Sequence, residues 1–467
     1  MIIKNQEIVV EPSRPFLNDK LNRIESAKVL TQFVLSTKDP MVVCLDAPWG
    51  EGKTTFLRMW EQHLKDKAVP TIYYNAWEND FTDDALISII GEISSGIDEL
   101  STSEDTSKTK EYLNKAKGLG VALLKRTAPV AAKVATAGAL DLDKITEQAI
   151  AGFAESIAKE ELENYEKSKK TLSCFRSSLQ DLAASVTSSN DPKPLVFIID
   201  ELDRCRPNFS IELLEKVKHF FNVPNIVFIL GADKIQLGHS IKSIYGSGIN
   251  VDGYLRRFID FDYILPSPEK GKFAQVLFQK FNFNNYFSSK KEENVRNEKE
   301  QALEIFTDLF NIYKMSLREQ EHCCSLFSLA IRTTPISDPL HPIFLCFLIA
   351  LKVKDTDLYK RFTSEDIEPI TLIEIVKDMD GLNNLFDNRY GVLLETYIIG
   401  CKASCRYGPE EVTHIYHKQL KENTTSESVK ARAGQILNLL EMFDSKGGLG
   451  VLGYLINKIE IASRFES

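Results

Sequence analysis

A glycine-containing loop near the amino terminus carries residue types that bind phosphate. The segment Ala47-Pro-Trp-Gly-Glu-Gly-Lys-Thr54 matches the pattern G-x-x-x-x-G-K-[ST] at every fixed position except the first, which is Ala47. Gly50 and Gly52 place no side chain where the backbone would approach a phosphate, so that backbone N–H groups can turn inward. The loop therefore predicts a site for the phosphates of a nucleotide.

The end of this loop supplies the groups that would act on those phosphates. Lys53 would reach the β- and γ-phosphates, and the Thr54 hydroxyl would be a ligand of Mg²⁺. A helix that begins near Lys53 would present its positive amino-terminal end to the anion. We predict that ATP is bound by Pro48, Trp49, Gly50, Glu51, Gly52, Lys53, Thr54 and Thr55. The structural alternative is a glycine-rich turn that matches the pattern by chance.

Two carboxylates follow an apolar run later in the chain. Leu195-Val-Phe-Ile-Ile199 is typical of a buried strand, and it is followed directly by Asp200 and Glu201. We predict that Asp200 holds Mg²⁺ through water and that Glu201 polarises the attacking water as general base. The alternative is a strand whose solvated end carries two acids without a catalytic role.

Three more polar residues could complete this site. Asp203 is either a second acidic group near the metal or the cap of the next helix. Arg204 either pairs with Asp203 or reaches a phosphate bound by a neighbouring subunit. Asp233 follows the apolar run Ile226-Val-Phe-Ile-Leu230. We predict that Asp233 senses the γ-phosphate, and the alternative is a plain turn residue.

Arginines later in the chain are candidates for stabilising charge in a transition state. Arg256 and Arg257 are adjacent and precede an extended segment at 261–266, whereas Arg318 lies in a region of helical periodicity. A guanidinium delivered to the γ-phosphate would lower the barrier to its transfer. We predict that these arginines are catalytic, from the same chain or from another copy. Surface salt bridges are the alternative.

The elements around these residues predict an α/β fold. Four apolar runs separated by helical periods favour a parallel sheet that is covered on both faces, at 40–46, 71–75, 195–199 and 226–230. The predicted architecture is a three-layer P-loop NTPase sheet with a helical insertion and an all-helical C-terminal region. The predicted boundaries are 1–94 and 186–269 for the sheet domain, 95–185 for the insertion and 270–467 for the C-terminal domain.

Composition and charge restrict the partners of the chain. The 467 residues have a formal net charge of −9, so no overall basic field attracts nucleic acid, although a local basic face is not excluded. No run of 18 uncharged apolar residues predicts a transmembrane helix, and the amino terminus lacks the pattern of a signal peptide. We expect a cytoplasmic protein.

Two segments leave alternatives open. The Ala-, Val- and Leu-rich stretch 118–140 is interrupted by Lys125, Arg126 and Lys133, and it predicts either a packed helix pair or a segment that binds a membrane surface or a partner. The pair Cys401-x-x-x-Cys405 is followed by His414-x-x-His417, a spacing shorter than that of a usual zinc finger. Reduced thiols and surface histidines are the alternative to a zinc site.

The motifs resemble those of the KAP family of P-loop NTPases, which is related to the AAA+ and STAND ATPases. The strings that carry the resemblance are Trp49-Gly-Glu-Gly-Lys-Thr54, Tyr74-Asn-Ala-Trp77, Asp200-Glu-Leu-Asp-Arg-Cys-Arg-Pro207 and Tyr254-Leu-Arg-Arg-Phe258. The resemblance spans about residues 40–266, and the C-terminal region is similar only in general character.

The resemblance implies several properties of the chain. Family members carry an insertion before the strand with the paired carboxylates, and in many the insertion has transmembrane helices; here charged residues interrupt it. Ala47 is a second departure from the family pattern. The family implies Mg-ATP binding and hydrolysis coupled to conformational switching or homo-oligomer assembly, in a bacterial phage-defence or signalling role with an unknown protein effector. An ATP-gated scaffold with little turnover and a peripheral membrane-associated NTPase are the alternatives.

Overall fold

The computed structural model describes most of the chain. The described ranges are 9–82, 84–100, 106–126, 166–167, 169–186, 192–220, 222–268, 270–289, 297–335, 339–379, 383–387, 390–401, 409–422, 424–444 and 451–464. The chain divides into two compact units, one that ends at Pro266 and one that begins at Ser267. The predicted domain boundaries stay predictions, because this division treats the insertion as part of the first unit.

The first unit contains a five-stranded parallel sheet in the order β2-β3-β4-β1-β5. The strands are β1 (Met41–Asp46), β2 (Thr71–Asn75), β3 (Leu195–Asp200), β4 (Ile226–Ala232) and β5 (Phe261–Ile264). β4 pairs with both β1 and β3, so it separates the strand of the glycine loop from the strand of the paired carboxylates. The predicted parallel sheet is confirmed.

Helices of the first unit cover both faces of this sheet. They are α1 (Ile24–Leu35), α2 (Lys53–Asp66), α3 (Ala85–Leu100), α4 (Thr106–Arg126), α5 (169–185), α6 (Pro207–Phe220), α7 (Lys234–Tyr245) and α8 (Val251–Leu255). A short 3-10 helix, Leu202–Arg204, follows β3.

Alternation along the strands explains the three layers. Val43 and Leu45 of β1 enter a core cluster with Leu30 of α1 and Trp60 of α2. The intervening Cys44 belongs to a second cluster on the opposite face, together with residues of α3 to α8. Because successive side chains of a strand point to opposite faces, a strand buried on both faces reads as a continuous apolar run.

The described parts of the insertion pack against the sheet. Leu113 and Leu123 of α4 are buried in the same cluster as Phe175 and Leu182 of α5. Residues 127–165 lie outside the described residues, and so does most of the segment 118–140. In the described ranges, no helix combines the length and the apolar character needed to cross a bilayer.

The second unit is helical throughout its described residues. Its helices are α9 (Lys270–Lys280), α10 (Phe283–Ser289), α11 (Glu298–Ile312), α12 (Leu317–Arg332), α13 (Pro342–Lys354), α14 (Thr356–Thr363), α15 (Pro369–Asp378), α16 (Asn383–Asp387), α17 (Gly391–Gly400), α18 (Pro409–Lys421), α19 (Glu427–Asp444) and α20 (Leu452–Arg464). The predicted all-helical region is therefore confirmed where the structure describes it.

A buried carboxylate joins four helices of the second unit. Glu395 of α17 accepts hydrogen bonds from Arg432 Nε at 3.1 Å and Nη2 at 2.6 Å, both on its Oε2. Its Oε1 accepts from the Tyr416 hydroxyl at 2.7 Å and lies 3.6 Å from Lys377 Nζ. Burial and the neighbouring Glu395 carboxylate raise the pKa of Tyr416 above its usual range. The carboxylate is thus the common partner of α15, α18 and α19.

The zinc alternative gains no support from the described residues. Cys401 is buried at the end of α17, and Cys405 lies outside the described residues. Among the residues with described positions, no group of three or more His, Cys, Asp or Glu side chains is arranged to hold a metal ion.

Candidate functional site

Two glycines give the loop between β1 and α2 its shape. Gly50 and Gly52 have φ angles of 81° and 75°, in the left-handed region that glycine adopts at low cost. α2 begins at Lys53, so the loop leads directly into a helix amino terminus, a geometry that binds anions. Ala47 is buried and is not among the described residues with a positive φ. Its methyl group therefore fits where the pattern has glycine.

Lys53 lies between the loop and a carboxylate that follows β3. Its Nζ donates to the carbonyl oxygen of Ala47 at 3.1 Å and lies 3.5 Å from Asp203 Oδ2. The same Oδ2 accepts from the indole N–H of Trp49 at 2.5 Å and from the backbone N–H of Asp233 at 2.9 Å. Asp203 therefore connects the loop, the Lys53 ammonium and the end of β4. The sequence predicts either a second acid near the metal or a helix cap for Asp203, and neither alternative includes this contact with Lys53.

Arg23 holds the loop from its other side. Its guanidinium donates to the carbonyl oxygens of Glu51 at 2.6 Å and Gly52 at 3.1 Å. Burial lowers the pKa of Arg23, and the neighbouring Glu51 and Asp19 oppose that shift. Nothing in the position of Arg23 along the sequence indicates this contact with the loop.

Asp200 and Thr54, the two predicted Mg²⁺ ligands, lie together. The Asp200 carboxylate is fully buried and accepts from the Tyr73 hydroxyl at 2.6 Å and from the backbone N–H of Glu201 at 2.8 Å. Burial raises its pKa, whereas hydrogen bonds from Tyr73 and from the Thr54 side chain lower it. An oxygen-only pair of a carboxylate and a hydroxyl suits Mg²⁺. The donor set thus fits the metal that sequence reasoning predicted.

We expect Tyr73→Phe to weaken Mg²⁺ binding because the Tyr73 hydroxyl orients Asp200. Burial and the neighbouring Asp200 raise the pKa of Tyr73, so it stays a hydrogen-bond donor. Loss of a partner that orients a ligand costs about tenfold or more in metal affinity. A Mg²⁺ titration of nucleotide turnover should give a half-saturation about tenfold higher.

Tyr74→Phe is the matched control for this prediction. Its hydroxyl bonds Ser88 on the opposite face of β2 and does not contact Asp200. The half-saturation for Mg²⁺ should be that of wild type. Equal half-saturations for wild type and Tyr73→Phe would contradict the orienting role of Tyr73.

Glu201 is held in a strained and fully engaged position. Its φ is 59°, a left-handed conformation that costs energy for a side chain other than glycine. Its Oε1 forms an ion pair with Arg204, and its Oε2 accepts from Asn75 Nδ2 at 3.3 Å. Burial raises the pKa of Glu201, and the positive charge of Arg204 opposes this shift. Arg204 therefore pairs with Glu201, whereas the sequence predicts either Asp203 or a phosphate in a neighbouring subunit as its partner.

The end of β4 fits closely around the site. Gly231 lies beside Asp200, and a Cβ there would be 2.5 Å from Leu57 Cδ1 and 2.8 Å from Asp200 Oδ1, so a larger residue would require both side chains to move. Asp233 caps α7 by accepting from the backbone N–H groups of Ile235 and Gln236. Its carboxylate also accepts from the backbone N–H of Trp49 at 3.2 Å. Its carboxylate therefore supports the loop backbone. A role in sensing the γ-phosphate stays a prediction.

The candidate arginines are exposed. Arg256 and Arg257 directly follow α8 and precede β5. Asp260, at the start of β5, accepts a hydrogen bond from the backbone N–H of Val42. These arginines are therefore near the amino ends of β5 and β1, whereas the glycine loop follows the carboxyl end of β1. Arg318 lies on α12 of the second unit.

The sequence did not single out three residues that position the site. Tyr73 and Asn75 hold the two carboxylates from β2, and Gly231 gives one of them space from β4. The resemblance included Asn75 in the string after β2 but did not assign it a contact. Tyr73 lies inside the strand run 71–75 and Gly231 directly follows the run 226–230, so neither residue type signalled a role.

The fold and the loop define this chain as a P-loop NTPase. The model of the KAP family P-loop domain matches residues 23–329, which is more than half of the chain. The chain therefore belongs to the KAP family, and this membership supports nucleotide binding. No curated protein matches it.

Among solved structures, the chain is similar to the ORC2 protein of Aeropyrum pernix. The structure of its ADPNP–ADP complexes is 12% identical, with 94% of this chain and 89% of that chain covered and a TM-score of 0.33. The ADP form is 12% identical, with 98% and 96% covered and a TM-score of 0.30. At TM-scores this low, the likeness indicates nothing about the function of this chain.

Proposed function

We propose that this protein binds Mg-ATP at the loop between β1 and α2 and hydrolyses it. One observation carries the proposal: the loop leads into Lys53 and Thr54, and the Thr54 side chain hydrogen-bonds Asp200 of a buried carboxylate pair, Asp200 and Glu201, at the carboxyl end of β3. β4 lies between the two strands and brings both sets of side chains to one edge of the sheet. Ligands of open parallel sheets bind at this edge.

Each residue has a distinct task in the proposed reaction. The backbone N–H groups of the loop and the amino terminus of α2 bind the phosphates, and Lys53 binds the terminal ones. Thr54 and Asp200 would hold Mg²⁺, which would supply positive charge against the phosphate oxygens. Glu201 takes the proton of the attacking water after its carboxylate leaves Arg204 or Asn75.

We expect Lys53→Met to weaken nucleotide binding at least about tenfold, because a charge-assisted contact with phosphate is lost. Binding of a slowly hydrolysed ATP analogue, followed by calorimetry, and release of phosphate from Mg-ATP would measure this. Lys65→Met is the control, because Lys65 lies on the same helix and pairs with Glu61. Unchanged nucleotide affinity in Lys53→Met would show that the nucleotide does not bind at this loop.

A second candidate function is an ATP-gated scaffold that turns over little nucleotide. The observation in its favour is that both carboxylate oxygens of Glu201 are engaged by Arg204 and Asn75. Binding would then order a segment or an assembly without rapid hydrolysis. Native mass with and without the ATP analogue, compared with the turnover rate, separates the two functions. Assembly with negligible turnover would favour the scaffold.

An arginine from another copy would complete the proposed site. Arg256 and Arg257 are exposed near the end of the sheet opposite the loop, so they suit a neighbouring subunit better than their own loop. Arg318 stays a further candidate. Under this proposal the protein acts as a homo-oligomer in the cytoplasm, in a bacterial phage-defence or signalling role with a protein effector. The family resemblance supports that role.

A further inference from the structure

The Asp203 carboxylate is buried among three donors and has one full positive charge beside it. Its side chain is 1% exposed and that of Lys53 is 8% exposed. Oδ2 accepts from Trp49 Nε1 and from the Asp233 N–H and faces Lys53 Nζ, whereas Oδ1 has no hydrogen-bond partner among the described residues. Lys53 is therefore the counterion of Asp203 in a place where water screens little.

A phosphate bound by the loop requires the same ammonium group. Lys53 is fixed at the first turn of α2, so its Nζ has a limited range of positions. A phosphate oxygen within hydrogen-bond reach of Nζ would be a negative charge close to the Asp203 carboxylate. Like charges at this separation repel strongly in a poorly hydrated site. Phosphate and Asp203 thus compete for one cation.

We propose that Asp203 is an internal competitor for Lys53 and sets the affinity of this site for nucleotide phosphates. The inference rests on the proposed function, because it assumes that nucleotide binds at Lys53. Asp203 also accepts hydrogen bonds from the Trp49 indole and from the backbone N–H of Asp233. When Lys53 leaves the Asp203 carboxylate for a phosphate, the contacts that hold the loop and the end of β4 therefore change together. Asp203 is a positioning residue that opposes binding by its charge.

The direction in which nucleotide affinity changes when Asp203 is neutralised distinguishes competition from a metal-binding role and from a purely structural role. If Asp203 helped to hold a metal, its neutralisation would weaken binding of the metal–nucleotide complex. If Asp203 only shaped the loop, a neutral side chain that keeps its hydrogen bonds would change the affinity for nucleotide little. Competition predicts tighter binding, and it predicts this even without a metal.

The test is calorimetric titration of the full chain with ADP in the presence of EDTA. Asp203→Asn retains an oxygen that accepts from Trp49 and from Asp233 N–H, but it removes the charge. We expect its dissociation constant to be about tenfold lower than that of wild type. An unchanged or higher dissociation constant would overturn the competition.

Asp262→Asn is the matched control. It removes one negative charge from the same unit, at an exposed carboxylate that pairs with Lys234. Its dissociation constant should equal that of wild type. Equal tightening in both variants would show a general charge effect and would overturn the specific role of Asp203.

A second variant of Asp203 and a stability comparison test the same ion pair. If Asp203→Asn does not fold, Asp203→Ser supplies a neutral acceptor, and the same shift is expected. Lys53→Met leaves the Asp203 charge buried alone, so amide protection of β1 and α2 against hydrogen exchange should be higher in Lys53→Met combined with Asp203→Asn than in Lys53→Met. Equal or lower protection in the double variant would contradict the ion pair. Absence of ADP binding in the wild-type protein would instead contradict the proposed function itself, nucleotide binding at this loop.

Discussion

The variant Glu201→Gln should release phosphate from Mg-ATP about 100- to 1000-fold more slowly than wild type, because it loses the general base. Glutamine has the same shape and can still accept from Asn75, which now bonds Glu201 Oε2 at 3.3 Å. Nucleotide binding should therefore persist while turnover falls. Steady-state phosphate release and calorimetric binding of the ATP analogue, on the same preparation, give both quantities.

The control for Glu201 is a nearby acid without a predicted role. Glu78 is exposed, and its backbone N–H bonds Asn75, so Glu78→Gln changes charge in the same area and should hydrolyse ATP at the wild-type rate. Equal rates for wild type and Glu201→Gln would remove the role of Glu201. Loss of both binding and turnover would assign it a structural role through its contact with Arg204.

In the second unit, Glu395→Ala should destabilise the packing of α17, α18 and α19 by about 3 kcal/mol. The Glu395 side chain is 4% exposed, and its removal leaves the buried Tyr416 hydroxyl and the Arg432 guanidinium without their shared acceptor. Removal of one partner from a buried pair costs more than the pair contributes, because the other group stays unsatisfied.

Hydrogen exchange measures this effect locally. A chain of two compact units does not unfold as a two-state system, so a single free energy of unfolding would mix both units. Amide protection in α17 to α19 should fall about 100-fold, which corresponds to about 3 kcal/mol. Protection in β1 and β3 should not change.

Glu422→Ala serves as the control in the same unit. Glu422 forms an exposed ion pair with Lys418 one turn earlier on the helix, and such pairs contribute about 0.5 kcal/mol or less. Protection of α18 should therefore stay within about twofold of wild type. Unchanged protection in Glu395→Ala would show that the buried carboxylate does not hold these helices together.

The sequence predicted structure well where a feature is built from residues that are close together in the chain. The run that ends in Asp200 and Glu201 predicted a buried strand and its polar end, and β3 is Leu195–Asp200. The glycines of the loop predicted a backbone that turns its N–H groups inward, and both glycines have left-handed φ angles. The reason is that strand burial and turn geometry depend on a few consecutive residue types.

Contacts between distant residues were not predictable in the same way. The sequence predicts a role near the metal or a helix cap for Asp203, and the structure pairs Asp203 with Lys53, 150 positions earlier. Arg204 was considered a partner of Asp203, but it contacts Glu201. Side chains that are close in sequence point in different directions after a left-handed residue, so proximity along the chain did not identify the partner.

Residue types and periodicity were enough to predict a glycine loop with a phosphate-binding pattern, a buried strand that leads into two carboxylates and a parallel sheet between helices. These features follow from periodicity and from short motifs. Three arrangements became visible in the folded protein: Asp203 faces Lys53, Tyr73 and Thr54 hydrogen-bond Asp200, and Gly231 leaves room for Asp200. The physical reason is strand order: β4 lies between β1 and β3 and β2 lies beside β3, and this order sets which side chains meet.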